Sequence, residues 1–170
     1  TLEESNQWGP IRVLPEPDPS LDLLVTGTIL KSDGHDLELQ IQATDSTGRI
    51  WLDKIYSDTA VAEDYPEATR FASGFNFDAA NFIDPYEDLY DKIANELLQQ
   101  RELRSNNNLR NINVVADLAY AIDLAPESFA DTLVKDEQGV TQVNLLPADN
   151  DPMMARVKDM RFRHHLFIDT

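Results

Sequence analysis

The run Leu37-Glu38-Leu39-Gln40-Ile41-Gln42-Ala43-Thr44 decides the fold class. Leu37, Leu39, Ile41 and Ala43 alternate with Glu38, Gln40, Gln42 and Thr44, the period of two that sends side chains to opposite faces of a strand. Asp45-Ser46-Thr47-Gly48 follows as a turn, Gly48 supplying a position open to positive φ, and Ile50 to Tyr56 returns as another strand. Upstream, Leu23 to Leu30 ends at a second turn signal, Ser32-Asp33-Gly34. The pattern predicts a three-stranded antiparallel meander with one wet face. So small a sheet must bury its apolar face against another element, usually a helix.

The stretch 84–101 supplies that helix. Asp84 is a good N-cap, Pro85 suits the first helical position, and Glu87 stands three residues after the cap. Tyr86, Leu89, Tyr90, Ile93, Ala94, Leu97 and Leu98 keep helical spacing, with Asp88, Asp91, Lys92, Asn95 and Glu96 opposite. Between sheet and helix, residues 59–83 interleave Phe71, Phe75, Phe77 and Phe82 with Gly74 and a polar stretch, which reads as an irregular aromatic insertion.

After a break at Ser105-Asn106-Asn107-Asn108, a second helix is predicted over Leu109 to Leu124. A short helix follows from Pro126 to Val134, broken by Gly139, and a final one is opened by Pro152 and runs from Met153 to Phe167. Pro10, Pro15, Pro17 and Pro19 restrict residues 1–20 to a connector with at most an edge strand around Ile11–Leu14. The fold class is therefore α+β. A proline-rich connector (1–20) precedes a meander-plus-helix domain (21–104) that carries the insertion 59–83, and a helical extension (105–170) follows.

Composition narrows the function classes. A hydrophobic fraction of 42% with 26% charged residues belongs to a globular chain rather than a disordered one. Fourteen Lys and Arg against 31 Asp and Glu leave a net charge of −17, which repels phosphate backbones and anionic bilayers and makes nucleic acid a poor partner. The charge is uneven: residues 151–170 set Arg156, Lys158, Arg161 and Arg163 against only Asp151, Asp159 and Asp169, so this segment is expected to dock on the acidic body or an acidic partner. With no cysteine there is no disulfide framework, thiolate nucleophile or cysteine zinc site. Starting at Thr1 and stopping after Leu166-Phe167-Ile168, the chain reads as a mature or ordered fragment of a longer protein.

Few residues are equipped for chemistry. His35 lies in a turn with Asp33 and Asp36, and His164 and His165 are adjacent, so on a helix they point about 100° apart and do not converge on a metal. No G-x-S-x-G, P-loop, H-E-x-x-H or G-x-G-x-x-G pattern occurs, and Asp149-Asn150-Asp151 lacks the glycine and trailing glutamate of a calcium loop. The reading is thus of no catalytic residue, no metal and no cofactor. The binding candidates are Trp51 and Tyr56, which on a third strand more often pack in the sheet than form a ligand platform, the aromatics Phe71, Phe75 and Phe77, and Arg161, Arg163, His164 and His165 as a cationic end.

Leu23-Leu24-Val25-Thr26-Gly27-Thr28-Ile29, then Leu37 to Ala43, then Asp45-Ser46-Thr47-Gly48-Arg49-Ile50-Trp51, followed by an amphipathic helix through Gln100, resembles the meander of the TolB amino-terminal domain and of CsgG-type and FlgO-type bacterial envelope lipoproteins. The resemblance covers roughly residues 11–58 and 84–100, and the chain departs from it in the Phe71–Phe82 insertion and beyond Ser105. It implies a non-catalytic module, periplasmic or outer-membrane-associated, that binds envelope proteins and in some relatives forms part of a homo-oligomeric ring, touching the membrane only through a lipid anchor. The alternatives are a carboxylate-dependent, glycosidase-like hydrolase, whose paired acids leave no local signature, and a purely structural subunit of a large envelope complex.

Overall fold

The computed structural model describes residues 2, 5, 7–18, 21–61 and 84–168. Strands β1 (Leu23–Ser32), β2 (Asp36–Asp45) and β3 (Ile50–Thr59) form an antiparallel sheet in the order β1-β2-β3, as the alternation requires. Gly34 and Gly48 take φ of 81° and 86° at the two turns, a region costly to a residue with a Cβ. At the first turn Asp33 accepts hydrogen bonds from the amides of His35 (3.0 Å) and Asp36 (2.7 Å). Those amides, joined by Lys31, hold its carboxyl down at about 2.

Helix α1 (Glu87–Glu102) lies over the sheet's apolar face and buries Leu89, Ile93 and Leu97 against Leu37, Leu39, Ile41, Ala43 and Tyr56. Each of the three helix side chains contributes roughly 1.5–3 kcal/mol by leaving water. Polar contacts fix the helix on β3: the Tyr56 hydroxyl donates to Glu96 Oε2 at 2.8 Å, and Lys54 Nζ lies 2.8 Å from Glu96 Oε1. Burial, and then the Glu96 carboxylate, push the Tyr56 phenol up, while Lys54 holds Glu96 below the usual carboxylate range.

The helix begins later than its sequence suggests. Asp84 accepts from the Tyr86 amide at 2.9 Å and so closes a preceding turn, while Tyr86 takes the N-cap position without a side-chain bond. The asparagine run is also no break. Ser105 accepts from the Asn108 amide at 3.2 Å, and Asn106–Asn108 form the first turn of α2 (Asn106–Leu124).

Past α2 the expected helix from Pro126 to Val134 is cut short. Helix α3 (Pro126–Phe129) and a 3₁₀ turn (Ala130–Thr132) lead into a hairpin of β4 (Leu133–Lys135) and β5 (Thr141–Val143). Asp136 caps its turn by accepting from the amides of Gln138 and Val140, with Gly139 at φ 80°. Helix α4 (Pro152–Ile168) packs back on α2: Val157 is buried with Tyr120, Ala121 and Phe129 in a second apolar cluster. The basic segment therefore docks on its own acidic body.

The C-terminal half is also tied to the meander, Ser46 Oγ donating to the Ile112 carbonyl at 2.6 Å and the Thr141 amide to the Thr47 carbonyl at 2.8 Å. The expected edge strand in 1–20 does not form among the described residues, where 7–18 run without strand or helix. Among the described residues no helix is long and apolar enough to cross a membrane.

Candidate functional site: a cleft beneath the N-terminal segment

Trp51 enters the core through a register shift. Ala43 pairs with Leu52 but Thr44 pairs with Ile50, leaving Trp51 as an extra residue in β3, a β-bulge. Strict alternation would set Trp51 and Tyr56 on opposite faces; the bulge lets both be buried, at 7% and 2% exposure. The Trp51 indole N–H donates to Asp45 Oδ2 at 2.8 Å. Asp45 Oδ1 accepts from the Thr47 amide (2.9 Å), the Thr47 hydroxyl (2.6 Å) and the Arg49 amide (3.2 Å). The Arg104 guanidinium sits 3.9 Å over the Trp51 ring, where burial pulls its pKa down, and Trp8 packs nearby with ring centroids 6.5 Å apart.

Trp51 forms part of the floor of a cleft of about 1270 Å³ between residues 7–17, β1, the start of α2 and the end of α4. Its walls are largely apolar, with Trp8, Ile11, Leu109, Phe162 and Leu166 among them. Arg12, Arg101, Arg161 and His165 place positive or protonatable groups along them. Glu16 and Asp22 are the acids on its rim. For a chain of net charge −17, three arginines against two acids along one cleft run against the overall balance.

Each polar group is held by its neighbours. Arg161, with 18% side-chain exposure, bridges Asp117 on α2 and reaches Asp22 at 3.7 Å just before β1, so one guanidinium binds three segments together. His164 turns away from the cleft, its Nε2 3.5 Å from Asp18 and its Nδ1 3.4 Å from the Tyr120 hydroxyl. His165 turns into it, and burial, then Arg12 and Arg161, pull its pKa below the ordinary histidine value. The adjacent histidines diverge, as their helical spacing demands.

Of the residues nominated from sequence, the fold thus brings Trp51, Arg161 and His165 to one cleft. Tyr56 serves the α1 contact, Arg163 is exposed and pairs with Asp159 at 2.9 Å one helical turn away, and Phe71, Phe75 and Phe77 lie outside the described residues. Trp8, Arg12, Arg101 and Phe162 were not nominated; the apolar run Ile11–Leu14 among prolines was the available signal for a segment that packs across the body. Among the described residues no group of three or more His, Asp or Glu is placed to hold a metal ion.

The depressed His165 value has a measurable sign. A histidine held neutral by its fold binds its proton more readily unfolded, so its contribution to stability is complete above the ordinary value of 6.5 and is lost as pH falls below it. Thermal melts of the wild type and His165→Gln should therefore diverge through that window, the wild type losing more stability on acidification. Parallel curves would mean His165 is not held neutral.

No protein-family model, curated protein or solved structure matches the chain.

Proposed function

We infer that the chain is a non-catalytic protein-binding or assembly module of the bacterial cell envelope, of the periplasmic or outer-membrane-associated lipoprotein type, and that its cleft receives an extended, partly acidic segment of an envelope protein. The observation carrying this reading is the cleft itself: largely apolar, and edged by Arg12 and Arg101 in an otherwise strongly acidic molecule. Apolar walls supply affinity, and charge of opposite sign steers and orients the incoming segment. The likeness of the meander to envelope lipoproteins supports the compartment.

A glycosidase-like hydrolase would draw its two carboxylates from the same cleft, where Glu16 and Asp22 are the acids. Asp22 is committed to the Arg161 bridge that fastens α4 near the start of β1, and Glu16 stands exposed between Pro15 and Pro17, so neither is set up to share a reacting atom.

A photo-crosslinking residue at Phe162, exposed inside the cleft, should trap a discrete envelope protein in the producing cell. The same residue at Val134, also exposed, on the β4–β5 hairpin, should not. Adding Arg101→Glu should abolish the Phe162 adduct. Equal labelling from both positions would defeat the reading.

A further inference from the structure

The two edges of the three-stranded sheet are built differently. Edge strand β3 carries Asp53, Lys54 and Asp58, charges of the kind that keep an open edge from pairing with another chain. The other edge, β1, has no charge and no proline from Leu23 to Leu30, and every residue from Val25 to Ser32 is exposed. Its guards, Lys31 and a register irregularity between Ile29 and Lys31, sit only at its far end. Among the described residues no strand pairs with its outer side.

The unguarded stretch is nearly a palindrome: Leu24-Val25-Thr26-Gly27-Thr28-Ile29-Leu30 reads alike in both directions about Gly27, with Val25 answered by Ile29. An antiparallel copy related by a two-fold axis through Gly27 would set Thr26 against Thr28, Val25 against Ile29 and Gly27 against Gly27, each a favourable or neutral cross-strand pair. A two-fold perpendicular to the sheet also keeps like faces together. Val25, Gly27 and Ile29, which pair with Ala43, Ile41 and Leu39 of β2, would then extend the apolar face across both copies. Val25 and Ile29, now 39% and 67% exposed, would gain cover. Pairing along an uncharged strand also sets no like charges against each other at the seam between two molecules of charge −17.

We propose that β1 is a self-pairing edge, and that two copies of this chain join β1 to β1 about Gly27 into a continuous six-stranded sheet. The interface is isologous and closes on itself. Leu23 to Gly27 also line the cleft, so pairing and cleft occupancy share a wall, but the pairing is argued from the strand edge and its sequence and would stand if the cleft bound nothing.

The absence of native cysteine makes the register testable. Gly27→Cys should form an intermolecular disulfide rapidly on mild oxidation, because directly opposed residues of an antiparallel pair lie within disulfide reach. A Cβ at Gly27 meets only the tip of Ile41, at 3.3 Å. Ser57→Cys, on guarded β3, should remain largely unlinked. In sedimentation equilibrium the wild type should approach twice the 19.2 kDa chain mass as concentration rises. Thr28→Lys, which brings two like charges to diagonal positions across the axis, should return it to the single mass with unchanged circular dichroism. A chain monomeric at its highest soluble concentration, with Gly27→Cys linking no faster than Ser57→Cys, overturns the proposal and leaves the edge to a strand from another protein. A dimer that survives Thr28→Lys and links no better at Gly27 than at Ser57 overturns it too.

Discussion

Replacing Asp45 with alanine should destabilise the chain by about 3–5 kcal/mol, a large share of the stability of a domain this size. The carboxylate is 5% exposed and satisfies four donors: the Thr47 amide and hydroxyl, the Arg49 amide and the Trp51 indole. Alanine leaves all four without that acceptor around a buried turn, and it also removes the negative charge near the Arg104 guanidinium stacked on Trp51. Asp45→Asn separates the two effects, because it keeps the shape and one acceptor oxygen but neither the charge nor the second acceptor. It should fall between alanine and wild type. Urea midpoints at constant slope give the measurement, and an alanine variant as stable as the wild type would show that water replaces the carboxylate without loss.

The second large effect is expected at Leu39, which is 9% exposed in the middle of β2 and faces Ile29 on one side and Tyr56 on the other. Leu39→Asp places a carboxylate among the apolar side chains under α1, where the nearby cation, Lys54, is already engaged by Glu96, at a cost of about 3–5 kcal/mol. A carboxyl in that setting takes up its proton more readily folded than unfolded, so stability lost at neutral pH should partly return as pH falls. Leu39→Ala, which loses packing alone, should show no such recovery. Unchanged thermal unfolding of the aspartate variant would remove β2 from the core.

How far the fold could be read in advance depended on the range over which its determinants act. The meander was legible because alternation and the turn glycines are local, and α1 because Leu89, Ile93 and Leu97 repeat on a helical period. Errors fell where one residue type has two local uses. Asp84 can cap a helix or close a turn, and here it closes the turn. The β4–β5 hairpin was hidden because its strands are three residues long, too short for a period to register, although Asp136 and Gly139 carried its turn signal.

The cleft was less legible than the fold. It is assembled from residues 7–17, β1, α2 and α4, and nothing in one stretch of sequence tells which distant stretch it will meet. Arg161 and His165 stood out because they belong to the one segment where positive charge balances negative, and Arg101 did not because it looks like an ordinary cation in the last turn of a helix. Trp51 was legible as a residue that packs in the sheet, but the bulge that lets it and Tyr56 both be buried was not, since it depends on a single inserted residue in the β2–β3 register.

The hydrogen bond from the Thr141 amide to the Thr47 carbonyl bears on the order in which the molecule assembles. The two hairpins of the meander join neighbours in the chain and can close quickly, but the β2–β3 turn also takes a partner from a residue far along the polypeptide. Closing so long a loop is entropically slow, so consolidation of that turn should be among the last events in refolding. Its opposite number in exchange experiments follows: the Thr141 amide, lying between halves rather than within one, should trade its proton for deuterium only when the halves part, and its protection should report the free energy of separating them.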